Sequence, residues 1–505
     1  MNSSHSPHNA EELAEEERAM LDPNEAAEEI PSDPDQPMNS DPEDAEEQEI
    51  QLQNDSIAHF DHHTDSTFCI SQHPLDPSIV ATGSGDDTAY VFSAKVSSPL
   101  LPPSYESNPK TSRESLAPIA KLTGHTDSVN AITFTLPQGA YLCTAGLDGR
   151  LRVYNTTSPT SLSDAKYTFL AEAQEVPEIN FLIPCPHPSY PNTLALGASD
   201  GSAWIYTIDS SDETSPLQVQ QAYYFHTASC TAGAWTPDGK LLATVSEEGS
   251  LYVWDPFGEA AASGVVAQGA GQTVIGLTSS DQRFEVEGGL YSVAIAPSGA
   301  FVAVGGANGM IRVVGLPIFS SLSATNNSNP TKGQKGSGTK SKAAGGKRNP
   351  ASATESSAGQ AGQILASLQA QTDGIETLAF SAPPLTLLAA GSVDGSIALF
   401  DTAHRFALRR HIRDAHEEYA VVKVEFSREQ EKGWLLTSCG MDGVVRRWDT
   451  RGGTTASGMG LVGEWKGHRG EGEGGGVLGF VQSEGGGIVT AGDDGVSLVF
   501  EGKVG

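Results

Sequence analysis

The feature that most constrains this chain is a turn signature that recurs eight times in register. An acidic or amide residue is followed six positions later by an aromatic or large apolar one: Asp86/Phe92, Asp148/Tyr154, Asp200/Tyr206, Glu248/Trp254, Asn308/Val314, Asp394/Phe400, Asp442/Trp448 and Asp494/Phe500. Glycine follows the first member in seven of the eight, and Asp87 stands there in the first pair. The most regular copy runs from Leu122 to Asn155 and contains three alternating stretches, Val129 to Phe134, Tyr141 to Ala145 and Leu151 to Tyr154. Alternation with period two sends successive side chains to opposite faces and marks strands. Asp-Gly between two such stretches predicts a hairpin with positive φ at both turn residues. Each unit therefore supplies three antiparallel strands, and the segment leading to the next unit supplies a fourth.

The copies lie 48 to 86 residues apart. The shortest spacings sit just above the roughly 40–45-residue period of a propeller blade, and the longer ones carry insertions. The expected fold class is all-β: a propeller of eight blades, with seven as the alternative. The last unit ends at Ser497 to Phe500, and only five residues remain, too few for a fourth strand. Ser56 to Phe60 is expected to fill that place, pairing the two ends of the chain and closing the ring, which leaves only short protected edges.

Charge divides the chain into parts. The formal net charge is −33. Residues 1–53 hold 17 Asp or Glu against one base, Arg18, with almost no aromatic residue. Such a segment cannot bury enough apolar surface to offset its ordering entropy, so 1–53 is expected to be a disordered acidic tail and 54–505 the propeller. Residues 320–362 are mostly Ser, Asn, Gly and Lys, and are expected to be a disordered basic insertion between blades. The glycine-rich run Gly470 to Gly476 is expected to be a mobile loop. A strongly negative body repels nucleic acid and anionic membrane and attracts basic partners. The five cysteines (69, 143, 185, 230, 439) show no CxxC spacing and fit a reducing compartment without a metal site. No apolar run approaches the roughly 18 residues of a membrane span, and no secretory signal pattern opens the chain.

Trp254-Asp255 and Trp448-Asp449 are the dipeptide that names the WD-repeat family, with Phe400-Asp401 and Tyr154-Asn155 as close variants. Gly124-His125 and Gly467-His468 are its other mark, and His63, His226 and His416 stand in matching places without the glycine. With eight units in register, the chain resembles that family. In its blades a His, a Ser or Thr on the second strand, the turn Asp and the Trp form a hydrogen-bonded chain. The resemblance puts His125, Thr144 and Asp148 in one such chain, and His416, Ser438, Asp442 and Trp448 in another. Tyr154 replaces the Trp in the first, so that chain is expected to end differently.

These Asp and His residues are thus scaffold rather than catalytic groups. No GxSxG, P-loop, HExxH or paired CxxC pattern occurs in suitable context, so no enzyme and no cofactor is expected. His62-His63 beside Asp61 and Asp65 is not read as a metal site, because tandem residues on a strand point to opposite faces. The informative acids are those that blade geometry does not need. Segments ahead of each first strand and turns between second and third strands converge on one face of the ring. There the chain places Asp65, Asp127, Glu178, Glu247, Asp373, Glu376, Glu417 and Glu418. Together they suggest a negative mouth suited to an extended Arg/Lys-rich peptide held by charge-assisted hydrogen bonds.

The run 55–92, DSIAHFDHHTDSTFCISQHPLDPSIVATGSGDDTAYVF, resembles one WD-repeat subfamily in particular. These are the ribosome-assembly chaperones that include the angio-associated migratory cell protein and its fungal relative. The acidic tail and the Lys-bearing insertion fit the same group. The resemblance implies a non-catalytic escort, monomeric and cytoplasmic with nuclear access open. Such a protein binds the N-terminal segment of a newly made, basic large-subunit ribosomal protein (uL16/L10 type). It delivers that protein to pre-60S particles, with no direct contact to nucleic acid or membrane. The alternative is a WD-repeat scaffold or substrate receptor of a ubiquitin ligase or signalling complex. That reading needs an adaptor-docking helix, and residues 10–20, AEELAEEERAM, lack a clear apolar face.

Overall fold

The computed structural model describes residues 53–96, 113–157, 166–264, 272–319, 360–452, 460–470 and 474–502. Eight small sheets follow one another along the chain. They are blade 1 (67–122), blade 2 (129–173), blade 3 (179–223), blade 4 (230–277), blade 5 (290–369), blade 6 (375–412), blade 7 (421–465) and blade 8 (477–500, completed by 58–60). The innermost strand of each blade packs on that of the next, and Val477–Gln482 of blade 8 meets Thr67–Gln72 of blade 1. The circle is therefore closed, with eight blades rather than seven. The acidic stretch 1–52 and most of the basic insertion, 320–359, lie outside the described residues, as do 471–473 of the glycine-rich run. The ends of that run are tied, since Gly470 N–H donates to the Gly475 carbonyl.

Burial follows position within a blade. Seven of the eight second strands, such as Ile79–Ser84, Tyr141–Gly146 and Leu435–Gly440, are buried at every residue, and in blade 5 only Phe301 is half-buried. They are sandwiched between neighbouring blades on both faces, so they read as runs of small and apolar residues without the polar alternation of a one-sided strand, and their buried Thr and Ser are hydrogen-bonded. Outer strands keep the alternation: Ile364–Gln369 exposes every second residue. The core is accordingly a series of seams. Cys143, Val153, Ile179 and Leu194 fill one between blades 2 and 3, and each buried aliphatic side chain contributes roughly 1.5–3 kcal/mol. Burial pushes the thiols of Cys185 and Cys439 up to about 12, so they act as small hydrophobes. After the third strand of blade 4 comes a helical turn, Glu259–Ala262, where Glu259 accepts from His187 at 2.9 Å and pairs with Lys240 at 3.1 Å.

The turns differ from the expected two-residue hairpins. Of Asp148 and Gly149, only Gly149 takes positive φ, at 71°. The turn runs from Gly146 to Gly149, closed by the Gly149 N–H on the Gly146 carbonyl at 3.1 Å. This is the longer hairpin in which a left-handed glycine follows the turn. Asp87 takes the glycine's role in blade 1 with φ of 60°, and Asn308-Gly309 alone has positive φ at both residues. These glycines also sit where a side chain would collide with the loop leading into the next blade. A Cβ at Gly149 would meet the Val176 carbonyl, at Gly395 that of Glu417, and at Gly495 the backbone of Asp65. The last contact joins blade 8 to blade 1.

The ring is completed by the two chain ends. Ala58–Phe60 runs antiparallel to Ser497–Phe500, within the expected 56–60 segment. A short strand that the sequence pattern does not show, Glu114–Ser115, pairs parallel on its outer side. Phe60 is fully buried and stacks on Phe92 with ring centroids 4.2 Å apart.

Hydrogen-bonded chains lock the loops to the strands. His125 Nε2 lies 2.8 Å from Thr144 Oγ1, and its Nδ1 lies 3.1 Å from Asp148 Oδ1. Asp148 also accepts from the backbone N–H of Thr126 and Arg150. Burial pulls its carboxyl upward, but those donors outweigh burial and hold it below the usual carboxylate range. Tyr154 does end the chain differently, donating its hydroxyl to the Thr123 carbonyl. In blade 7 His416 joins Ser438 at 2.8 Å and Asp442 at 2.9 Å, and Trp448 Nε1 donates to the same Ser438 at 2.9 Å. His63 and His468 make the same links to Thr82 and Asp86, and to Thr490 and Asp494. In blade 4 Ser250 relays His226 to Glu248. In blade 6 Gln371 stands in place of the His and donates to Ser396. Val176 and Val286 fill the position in blades 3 and 5.

Phe60→Ala should cost about 3–5 kcal/mol, the range for emptying a buried aromatic site, read as a lower urea midpoint; an unchanged midpoint would show that the ring does not depend on this strand. The second expectation concerns pH. Burial pushes His226 down from 6.5 to about 4. An unfolded His226 binds a proton below about 6.5 that the folded one refuses, so its stabilisation is complete above that pH. It is lost as pH falls toward 4, by on the order of 3 kcal/mol. His226→Gln, copying blade 6, should flatten the fall in stability between pH 6.5 and 4. Denaturant titrations at the two pH values check this, and an unaltered slope would contradict it.

Candidate functional site: an acidic face around the ring axis

One structural device recurs on the inner strands. In every blade the pairing of first and second strands slips by one residue just after its start, as between Val129 and Ala131. Such a bulge leaves one residue unpaired and re-aims its side chain. The residues so placed are Phe68, Asn130, Asn180, Thr231, Tyr291, Glu376, Val422 and Leu478, one per blade. Several reach across to the next blade. Asn130 donates to the Ile179 carbonyl at 2.6 Å, Asn180 to the Cys230 carbonyl at 2.9 Å, and Thr231 to the Leu290 carbonyl at 2.6 Å. Glu376 sits at the same position in blade 6 and is exposed.

Above this ring lie the incoming loops and the turns. The topology puts both at one end of the blades, because a strand that starts at one end is followed by a partner that returns to it. Asp65, Asp127, Glu178, Glu247, Asp373, Glu376, Glu417 and Glu418 are all exposed there. Asp65, Asp127 and Asp373 occupy matched positions, and each carboxylate accepts from the next backbone N–H at 2.7 Å. That contact fixes each side chain by one oxygen. Glu417 is held with φ of 55° against the turn of blade 6. Glu247 and Glu376 lie near Tyr291, and Asp373 lies near Glu376. Burial raises the Tyr291 hydroxyl, and the charges of Glu247 and Glu376 raise it further. Burial likewise raises Glu376, with Asp373 adding to it. Across blades 1 and 2, burial and then the charges of Asp127, Asp86 and Asp148 raise Asp87.

The acids form a rim rather than one cluster. Exposed Glu287, directly after Val286, and Asp493 fill the places in blades 5 and 8 where the sequence reading found no acid. Asp493 is visible in retrospect, because it precedes its turn Asp494 as Glu247 precedes Glu248. Its carboxylate is already engaged, accepting from Ser66 Oγ at 2.6 Å and from the Gly474 N–H. The bulge residues carry no comparable sequence signal. Most cations of this face are neutralised locally: Arg150 and Arg152 by Glu172, Arg446 by Asp442 and Glu464, and Lys466 by Glu464. A cleft of about 300 Å³ between blades 7 and 8 brings Glu417 and Tyr419 beside Arg446, Lys466 and Arg469, so the rim is of mixed charge at that point. His125, Thr144, Asp148, His416, Ser438, Asp442 and Trp448 sit beneath the rim in the locking chains. Among the described residues no group of three or more His, Cys, Asp or Glu is placed to hold a metal ion, and no helix is long and apolar enough to cross a membrane.

The WD domain, G-beta repeat model matches residues 116–155, 217–255, 280–314 and 362–401. The chain is 27% identical to the ribosome assembly protein Sqt1 of Saccharomyces cerevisiae over 494 residues, covering 93% of this chain and 91% of that one. It is 30% identical over 454 residues to a WD repeat-containing protein of Schizosaccharomyces pombe, covering 88% and 86% of the two chains. Among solved structures, Chaetomium thermophilum Sqt1 bound to the N-terminus of the ribosomal protein L10 superposes with a TM-score of 0.73. It is 53% identical to this chain, with 89% of this chain and 100% of that one covered. Identity at this level extends through the whole ring, well beyond the turn signatures common to all such repeats. This chain belongs to the WD-repeat family, in the group of the ribosome assembly protein Sqt1.

Proposed function

We propose that this protein is an escort for a newly made large-subunit ribosomal protein of the L10 type. It binds that protein's basic N-terminal segment on the acidic rim and delivers it to precursors of the large subunit. The observation that carries this reading is the likeness to a Sqt1 crystallised with the N-terminus of L10. The exposed carboxylates support it, since a rigid negative rim complements an extended chain of Arg and Lys. An escort of this kind needs no turnover, and the role is non-catalytic and cytoplasmic.

In this reading Asp65, Asp127, Glu178, Glu247, Asp373, Glu376, Glu417 and Glu418 contact the guest. Their effect is mainly on capture. Opposite fields steer association, and exposed pairs contribute modestly each and weaken with salt. Glu417→Lys with Glu418→Lys should weaken binding of an L10 N-terminal peptide by about tenfold at low salt, or about 1.4 kcal/mol. The loss should shrink as salt rises. Calorimetric titration at two ionic strengths checks this, and equal affinity of the variant and the natural protein at low salt would remove these residues from the interface.

A further inference from the structure

Blades 3 and 4 present an aromatic surface on the same face as the rim. The outer strand of blade 3, Leu217–Tyr223, ends there and leads into the loop before blade 4. Tyr224 and Phe225 follow it and remain 66% and 55% exposed, although aromatic side chains of this size are normally buried. Tyr224 lies edge-on to Trp204 at 5.8 Å, and Phe225 lies edge-on to Tyr252 at 5.6 Å. Below them Tyr223 stacks on Trp254 at 4.1 Å, which fixes the strand end. The pair therefore stands on a rigid base.

Its surroundings have one sign of charge. The segments that meet here are 174–178, 199–206, 222–229 and 246–254. They contain Glu175, Glu178, Asp200, Glu247 and Glu248, and no Lys or Arg. They are joined to one another. Ser199 N–H donates to the Glu178 carbonyl, Gly201 packs against the backbone of His226 and Ala228, and Thr227 N–H donates to Glu248. Glu178 and Glu247 belong to the rim, so the patch continues outward from it without a break. The two other occupants of such a surface fit less well. A second copy of this chain would bring its own acids against these, and an apolar partner would leave the carboxylates unpaired.

We propose that Tyr224 and Phe225, with the exposed Glu175 beside them, form a second subsite on this face. It takes Arg and Lys side chains of the same basic segment where that segment runs outward over blades 3 and 4. Cations stack on aromatic faces, and neighbouring carboxylates strengthen the attraction without needing the side chain to be buried. The inference rests on the escort reading, and it adds a direction to it: the guest leaves the axis across blades 3 and 4.

Fluorescence anisotropy with labelled L10 N-terminal peptides of two lengths tests it. Tyr224→Ala with Phe225→Ala should weaken the longer peptide about tenfold, equivalent to about 1.4 kcal/mol. The shorter peptide, confined to the rim, should bind unchanged. Because Phe225 packs on Trp254, Tyr224→Ala alone serves as a variant that disturbs no core contact and should lose a few-fold. Tyr224→Trp should restore binding, whereas Tyr224→Leu should not, since only the former keeps the aromatic face. Equal affinity of the double variant and the natural protein for the longer peptide would overturn the subsite and leave the escort reading standing. So would a change in sedimentation with peptide binding intact, which would assign the patch to self-association. Failure of the natural protein to bind either peptide would remove both proposals.

Discussion

The structure depends on closing a circle with a sheet that the chain leaves one strand short. Seven blades take their fourth strand from the segment that follows them, and in blade 8 that place is held by a strand from the other end of the described chain. Ala58–Phe60 supplies it, and three residue pairs join the two ends. Without them Ser497–Phe500 would present an open edge, and the seam between blades 8 and 1 would lose Phe60. Closure also sets what is rigid. Each turn glycine is wedged against the loop entering the following blade, so the loops around the axis are positioned by contacts that run through the whole ring.

That rigidity separates two kinds of acid. Asp86, Asp148, Asp394, Asp442 and Asp494 are turn residues whose oxygens are taken up by backbone N–H groups and, where present, by the locking His. They are half buried or less exposed, and their task is to hold a loop. Asp65, Asp127 and Asp373 use one oxygen on their own loop and expose the side chain, while Glu417 and Glu418 are simply exposed. A guest bound there as proposed would meet carboxylates already fixed in space, so less conformational freedom would be lost on binding than with acids on a flexible chain.

Much of this is legible in the sequence because the repeat ties chemistry to position. Once Asp148 is assigned to a turn, His125 and Thr144 fall on the neighbouring loop and strand, and the same offsets find His416, Ser438 and Asp442. Ring closure follows from counting strands at the C-terminus. What escapes is what depends on neighbours in space. The bulge that aims Asn130 and Asn180 at the next blade, and Tyr291 at the Gly288 carbonyl, comes from twist and packing at the start of each inner strand, and no residue type announces it. The turn at Asp148-Gly149 looks like a two-residue hairpin, but the carboxylate must reach His125. A turn with only the glycine left-handed allows that reach. Asp493 escapes for a different reason: next to the turn Asp494 it reads as part of the signature.

The placement of the acids also bears on release. A guest carried to a pre-ribosome must leave the rim, so tight capture would defeat an escort. Ion pairs between buried groups carry a large desolvation cost when formed and are strongly resisted when one partner is removed. Pairs at an exposed rim are each worth little, exchange readily and weaken as other charges approach. Ribosomal RNA presents a far denser array of anions than eight carboxylates on a ring, and it competes for the same Arg and Lys side chains. On the proposed reading, a rim of exposed acids would hold a cationic segment firmly enough to keep it from stray anions at low local charge, and would yield it where phosphate is concentrated. The aromatic patch over blades 3 and 4 extends the contact without altering this balance, because stacking on an open ring face also leaves the cation in reach of water.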